Sequence, residues 1–267
     1  MNAGPSTPPH IGVFDSGIGG LSVLRRLRRE MPQCAVSYIA DNRHLPYGAK
    51  TPAWLVERCS ALTQHLLERR GAILVLVACN TATTHTIGAL RARWPGVPFV
   101  GVEPGVKPAI ATSRRGRVAV IATEATLQSA RLRSLIDEHG RRAELRLQPC
   151  PGLADAVDAG DDAAIDALVD EACAELVAAE VDTVVLGCTH YPLVAERFAR
   201  RLGPDVVLID TADAVCRRVR ALLPVASDAP ALGRGALSIE ATGPVEGVQR
   251  AVERWLGEAV QVVQSDL

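Results

Sequence analysis

The sequence predicts an α/β protein of two facing domains, each a mainly parallel sheet flanked by helices. Three observations carry that prediction. Short, β-branched, continuously apolar runs alternate with amphipathic stretches, the pattern of parallel strands covered on both faces and joined by helices. Two of these runs end in a cysteine followed by polar residues: Ala72 to Ala78 before Cys79-Asn80-Thr81, and Val181 to Gly187 before Cys188-Thr189-His190. The segment from Ile11 to Ser22, a strand, a hydroxyl-bearing turn and a helix start, also overlays Val118 to Ser129. Ser16 and Thr123 stand 107 residues apart, as do Ser22 and Ser129, while Cys79 and Cys188 stand 109 apart. Matched order and spacing indicate a duplication, and a period this long points to two opposed domains rather than a solenoid.

The elements follow in order. Ile11–Phe14 is the first strand, and Gly17-Ile18-Gly19-Gly20 turns it into an Arg-rich helix over Leu21–Arg29. Val36–Ala40 is a strand, Trp54–Arg69 a helix, Ile73–Val77 a strand ending near Cys79, Thr84–Trp94 a helix, and Pro98–Val102 a strand. The second half gives strands at Arg117–Ala122 and Glu144–Leu147, a helix over Ala163–Ala179, then strands at Thr183–Leu186 and Val206–Ile209. Strands at Leu237–Ile239 and Val260–Val263 flank a last helix, Pro244–Trp255, in which Val245, Val248, Val252 and Trp255 recur at helical spacing. Val102-Glu103-Pro104-Gly105 and Asp210–Ala214 read as hinges. The chain then leaves one domain near Val102 and re-enters it near Val215. This gives a first domain of 11–102 plus 215–267 and a second of 103–214.

Bulk properties narrow the chemistry. With 48% apolar and 22% charged residues in 267, the chain can bury an ample core. A net charge of −1 and 3% aromatics give neither the field nor the stacking surface of a nucleic-acid binder. No apolar run approaches the roughly 20 residues that span a bilayer, and the opening from Met1 to His10 is polar and Pro-rich. The seven cysteines are scattered and never spaced C-x-x-C, so a cytoplasmic protein with reduced thiols is expected. Cys34, Cys59, Cys150, Cys173 and Cys216 read as small core residues. Lys50 and Lys107 are the only lysines, which leaves two candidates for a pyridoxal Schiff base, and Lys107 reads as a solvated residue in Glu103–Pro108. One thiol and one imidazole at 188 and 190 do not make a zinc site. Neither cofactor nor metal is expected.

The duplicated thiol suggests a site with two faces. Removing an α-proton from an amino acid leaves a poorly stabilised carbanion, and a soft, weakly hydrated thiolate with a reference pKa near about 8.5 is an effective base for it in a dry cleft. Inverting the stereocentre takes one group to remove the proton and a second, as thiol, to deliver one from the other side. Asp15-Ser16-Gly17-Ile18-Gly19-Gly20 lacks the spacing of a dinucleotide fingerprint and the G-K-[ST] of a Walker loop. Its backbone N–H groups still suit a carboxylate. Asp15 reads either as a helix cap or as an acid/base helper for a nearby thiol. His190 reads as a proton relay for Cys188 or as a satisfied structural histidine.

Asp15–Gly20, Pro46-Tyr47-Gly48, Ala78-Cys79-Asn80-Thr81-Ala82 and Gly187-Cys188-Thr189-His190-Tyr191-Pro192-Leu193 together resemble the ordered motifs of the cofactor-independent aspartate/glutamate racemase family. The resemblance runs from about Ile11 to Val263, and the cysteine motif at 187–193 is its most specific part. It implies two α/β domains related by a pseudo-twofold, with the active site in the cleft between them. It also implies interconversion of L- and D-glutamate by two bases, supplying D-glutamate for peptidoglycan. Cys79 then handles the proton of the D-enantiomer and Cys188 that of the L-enantiomer, with Asp15 and His190 assisting. Asp15, Ser16, Tyr47, Gly48, Asn80, Thr81, Thr189 and His190 match the substrate-binding set, and Asp41 and Thr123 match residues near it.

Two positions depart from the family pattern. Asp158 replaces a longer Glu at the end of Cys150–Asp158, and Leu132 falls where Tyr is frequent. Neither carries a proton in the implied mechanism. An aspartate or hydantoin racemase is the nearest alternative, usually lacking this glycine motif beside this Cys188 sequence. A decarboxylase of the family keeps one cysteine, and a Cys-His hydrolase leaves the second unexplained. Glutamate is the expected substrate of a homodimer that binds neither nucleic acid nor membrane; gyrase inhibition, a side activity of some members, is left open by the sequence, which offers nothing basic or aromatic for a direct nucleic-acid surface.

Overall fold

The computed structural model describes residues 8–223 and 233–267; the first seven residues of the Pro-rich opening lie outside them. Ten strands are present among these residues: β1 (His10–Asp15), β2 (Ala35–Ala40), β3 (Leu74–Val77), β4 (Phe99–Gly101), β5 (Arg117–Ala122), β6 (Glu144–Pro149), β7 (Thr183–Leu186), β8 (Val207–Ile209), β9 (Leu237–Ala241) and β10 (Val262–Gln264). The helices are α1 (Leu21–Glu30), α2 (Pro52–Glu68), α3 (Asn80–Arg93), α4 (Val106–Thr112), α5 (Glu124–Leu127), α6 (Ala130–His139), α7 (Leu153–Ala159), α8 (Asp162–Ala178), α9 (Ala195–Leu202), α10 (Ala212–Leu222) and α11 (Val245–Trp255). They build two sheets, β10-β9-β2-β1-β3-β4 and β6-β5-β7-β8. All strand pairings among the described residues are parallel.

The duplication read from the sequence is a duplication of strand pairing. The order β2-β1-β3-β4 recurs as β6-β5-β7-β8. Ile11 faces Leu74 across β1 and β3, and the residues 107 and 109 positions later, Val118 and Thr183, face each other across β5 and β7. The first sheet is extended by β9 and β10 beyond β2. In both sheets the chain moves from the central strand to one side and then returns to the other. Crossovers therefore part between β1 and β3 and between β5 and β7, opening a crevice beyond the carboxyl ends of those strands. Asp15 and Cys79 lie at one such crevice, Thr123 and Cys188 at the other.

Burial explains why the strand runs are continuously apolar. Leu74 to Val77 and Thr183 to Leu186 are buried throughout, because helices cover both sheet faces. The segment 102–105, expected as a hinge, leads from β4 into α4. The segment 210–214, the other expected hinge, runs into α10, which packs on α1. One helix start differs from expectation for a local reason. α3 starts at Asn80, four residues before the expected Thr84, because the Cys79 sulfur caps it by accepting the Ala82 N–H at 3.5 Å. After Cys188 the chain instead makes a 3-10 turn, Tyr191–Val194, with Pro192 inside it, and α9 begins at Ala195. No helix among the described residues is long and apolar enough to cross a membrane.

Candidate active site

The carboxyl end of β1 begins the site. Asp15 is fully buried and accepts the Ser16 N–H at 2.7 Å on one oxygen and the Gly20 N–H at 2.5 Å on the other, so it braces the glycine loop from beneath. The Thr189 hydroxyl reaches it from the second lobe at 3.4 Å. Burial pushes the Asp15 carboxyl above its ordinary range, against the charge of His190 and the two loop N–H groups.

Cys79 follows β3 with its Sγ 3.8 Å from the Ser16 hydroxyl. Burial pushes this thiol well above the usual cysteine range and the charge of Asp15 adds to it, outweighing its hydrogen bonding with Ala82 and Ser16. Cys79 is therefore held protonated. Asp15 acts on it through charge, while the hydroxyl in contact with the sulfur belongs to Ser16.

Across the cleft, Cys188 has a different neighbour. Its Sγ lies 3.6 Å from His190 Nδ1, and His190 Nε2 lies 2.9 Å from an Asp158 oxygen. Burial alone would lower the imidazole. The charge and hydrogen bond of Asp158, with the Cys188 sulfur, outweigh it and hold His190 well above its ordinary value. These partners favour the imidazolium form of the ring beside the sulfur. The other Asp158 oxygen crosses to the first lobe and accepts the Ile18 N–H at 3.1 Å. Asp158, one methylene shorter than the Glu that the resemblance implies at this position, lines the cavity.

The remaining polar residues shape one small cavity. Ser16, Tyr47, Gly48, Cys79, Asn80 and Thr81 line it from the first lobe, and Thr123, Asp158, Cys188, Thr189 and His190 from the second. Its volume is about 40 Å³, room for about three water molecules. Asn80 donates to the Val102 carbonyl at 3.3 Å, while its Oδ1 is buried without a partner and is available to a donor on a ligand. The Thr81 hydroxyl meets those of Thr123 at 3.2 Å and Thr126 at 3.4 Å across the cleft.

Asp41 lies outside the cavity wall. It is fully buried and accepts the Tyr47 hydroxyl at 2.6 Å, the Thr242 hydroxyl at 2.7 Å and a two-pronged Arg58 bond at 2.6 and 2.9 Å. It anchors the Tyr47 loop. Leu45, Pro46, Thr126, Ala154 and Asp155 also line the cavity and were not anticipated as site residues. Thr126 had a legible signal, since Thr123 caps α5 by accepting its N–H. Among the described residues no cluster of three or more His, Cys, Asp or Glu side chains could hold a metal ion.

The tight packing of the glycine loop yields a test. A methyl group at Gly19 would stand 2.7 Å from His190 Cε1 and 2.7 Å from the Thr189 hydroxyl. Gly19→Ala is expected to displace His190 and slow turnover by about 10²-fold, with little change in melting temperature. Steady-state kinetics beside thermal denaturation checks it; an unchanged kcat would mean that the loop yields to the methyl group.

Two thiols line one cavity at the junction of two duplicated α/β lobes, Cys188 beside the His190 ring and Cys79 near the buried Asp15 carboxyl. A family model for Asp/Glu/hydantoin racemases matches residues 11–219. A glutamate racemase from Pseudomonas paraeruginosa is 46% identical over 215 residues, which cover 80% of this chain and 81% of that protein. A glutamate racemase isoform from Bacillus anthracis superposes with a TM-score of 0.85 at 31% identity, covering 98% of each chain. The Escherichia coli glutamate racemase, solved with L-glutamate and the activator UDP-MurNAc-Ala, gives 0.82 at 31% identity over 96% of this chain and 97% of that one. The chain belongs to the Asp/Glu/hydantoin racemase family. It is an isomerase, and the relatives it resembles here are glutamate racemases.

Proposed function

We propose that the protein interconverts L- and D-glutamate without a cofactor, with Cys79 and Cys188 acting on opposite faces of the α-carbon, and so supplies D-glutamate for peptidoglycan. The observation that carries the reading is that both thiols line one cavity with unlike partners, the Ser16 hydroxyl on one side and the His190–Asp158 pair on the other. In the L-to-D direction Cys188 as thiolate takes the α-proton, and the resulting carbanion takes a proton from the Cys79 thiol on the other face. The sulfur states are then exchanged, ready for the D-enantiomer. The imidazolium of His190 offsets negative charge on Cys188, and the high pKa of Cys79 keeps its proton in place until the carbanion forms.

The same residues suit a dicarboxylic amino acid. The unpartnered Asn80 Oδ1 accepts from the ammonium group, and the hydroxyls of Thr81, Thr123 and Thr126 donate to a carboxylate. Such a substrate needs more than the roughly 40 Å³ of this cavity, so in this reading the lobes part to admit it. In this reading they are residues 11–102 with 215–267, and residues 103–214, moving about the two hinge segments. A cytoplasmic homodimer is the expected working form.

Circular dichroism of L-glutamate incubated with purified enzyme and no added cofactor tests the proposal. Decay of the signal to zero is expected, with aspartate and hydantoins turned over far more slowly. Activity that requires pyridoxal phosphate, vanishes on chelation, or prefers aspartate would sink it.

A further inference from the structure

We propose that Tyr38 is a positioning residue for Cys188, acting across the cleft through one peptide group and Asp158. Tyr38 sits on β2, fully buried, and is absent from the cavity wall. Its hydroxyl donates to the Gly17 carbonyl at 2.8 Å. The N–H of the same peptide group, on Ile18, donates to one Asp158 oxygen at 3.1 Å. The other Asp158 oxygen holds His190 Nε2 at 2.9 Å, and His190 Nδ1 faces the Cys188 sulfur at 3.6 Å. One planar peptide unit is thus gripped from below by the first lobe and from above by the second.

The loop has little freedom to move between these contacts. A methyl group at Gly17 would lie 2.7 Å from an Asp158 oxygen, and one at Gly20 would lie 2.9 Å from the Tyr38 hydroxyl. The phenol is surrounded by groups that keep it a neutral donor: burial first, then the charges of Asp15, Asp158 and Cys79, push it well above its ordinary value. A bond to the Gly17 carbonyl also polarises the Ile18 N–H and strengthens its grip on Asp158. Without the phenol the buried carbonyl loses its donor and the peptide plane is free to turn. The Ile18 N–H then leaves Asp158, and the imidazole loses the fixed carboxylate that aims it at the sulfur. The role rests on the two-thiol reading, with Cys188 serving the L-enantiomer.

Tyr38→Phe keeps the buried ring and removes only the donor. It is expected to lower kcat/KM about tenfold, equally in both directions because enantiomers have equal energies. The distinguishing readout is the primary deuterium isotope effect on kcat/KM. It should rise with α-deuterated L-glutamate, where Cys188 removes the proton, and fall towards unity with the D-form. In an Asp158→Asn background Tyr38→Phe should add no further loss. A second readout does not depend on racemisation: the pH profile of iodoacetamide alkylation, followed by peptide mass spectrometry, should shift at Cys188 and stay put at Cys79. Equal isotope effects in both directions, full additivity with Asp158→Asn, or an unshifted Cys188 profile would each overturn the role of Tyr38. An inactive wild-type enzyme whose Cys188 profile still shifts in Tyr38→Phe would instead overturn the racemase reading and leave the coupling standing.

Discussion

Cys79→Ala and Cys188→Ala are each expected to abolish racemisation, lowering kcat by at least about 10⁴. In the proposed mechanism either change removes the group that exchanges a proton on one face of the substrate. The remaining thiol can still abstract a proton, but nothing opposite it delivers one, so the configuration is not inverted. Each variant is expected to retain one partial reaction, elimination of a leaving group from a β-substituted glutamate of one hand, because elimination takes a single base. The hands should be opposite for the two variants. Both thiols are buried at strand ends, so their loss leaves the sheets paired; Cys79→Ala additionally gives up the sulfur that caps α3. Circular dichroism against both enantiomers, together with a thermal melt, checks this. Near wild-type racemisation by either variant would refute the two-base mechanism.

Much of the fold was legible because it is written locally. Continuous apolar runs, glycine turns and helical spacing all follow from neighbouring residues, and duplication doubles each signal. The ends of strands were also legible, which is why both cysteines, Ser16, Asn80 and His190 could be singled out. What stayed hidden depends on residues distant in sequence. Asp41 shows its use only through Arg58 and Thr242, and Asp158 only through Ile18 and His190. Tyr38 reads in sequence as an ordinary strand aromatic; its bond to the Gly17 carbonyl appears only once β1 and β2 are paired. Asp15 was read as a helix cap or a helper. Gly20 is the residue at the cap position of α1, and the Asp15 carboxylate serves the Ser16 and Gly20 N–H groups while its charge bears on Cys79. The early start of α3 was obscured by its composition, since Thr81, Thr83 and Thr84 are weak helix formers, and the Cys79 sulfur that caps their turn is not a usual capping group.

His190→Asn is expected to slow turnover by about 10² to 10⁴, chiefly at the step involving Cys188. The imidazolium sits 3.6 Å from that sulfur and is oriented by Asp158 from its other side. Asparagine can keep one hydrogen bond but carries no charge and relays no proton. The primary isotope effect should therefore rise for L-glutamate and not for D-glutamate, whereas Asp15→Asn should give the reverse by acting on Cys79. The pH dependence follows from the sign of the shift. A histidine whose folded pKa is raised contributes stability that is fully present below its unfolded value of about 6.5 and is lost as pH rises through the folded pKa. Wild type should accordingly exceed His190→Asn in urea resistance most near about pH 6, and the gap should close under alkaline conditions. The alkaline limb of the wild-type rate profile, where the imidazolium loses its proton, should also disappear in the variant. If His190→Asn and Asp15→Asn alter both directions alike and the stability gap is flat with pH, His190 is a neutral spacer and Cys188 acts without its help.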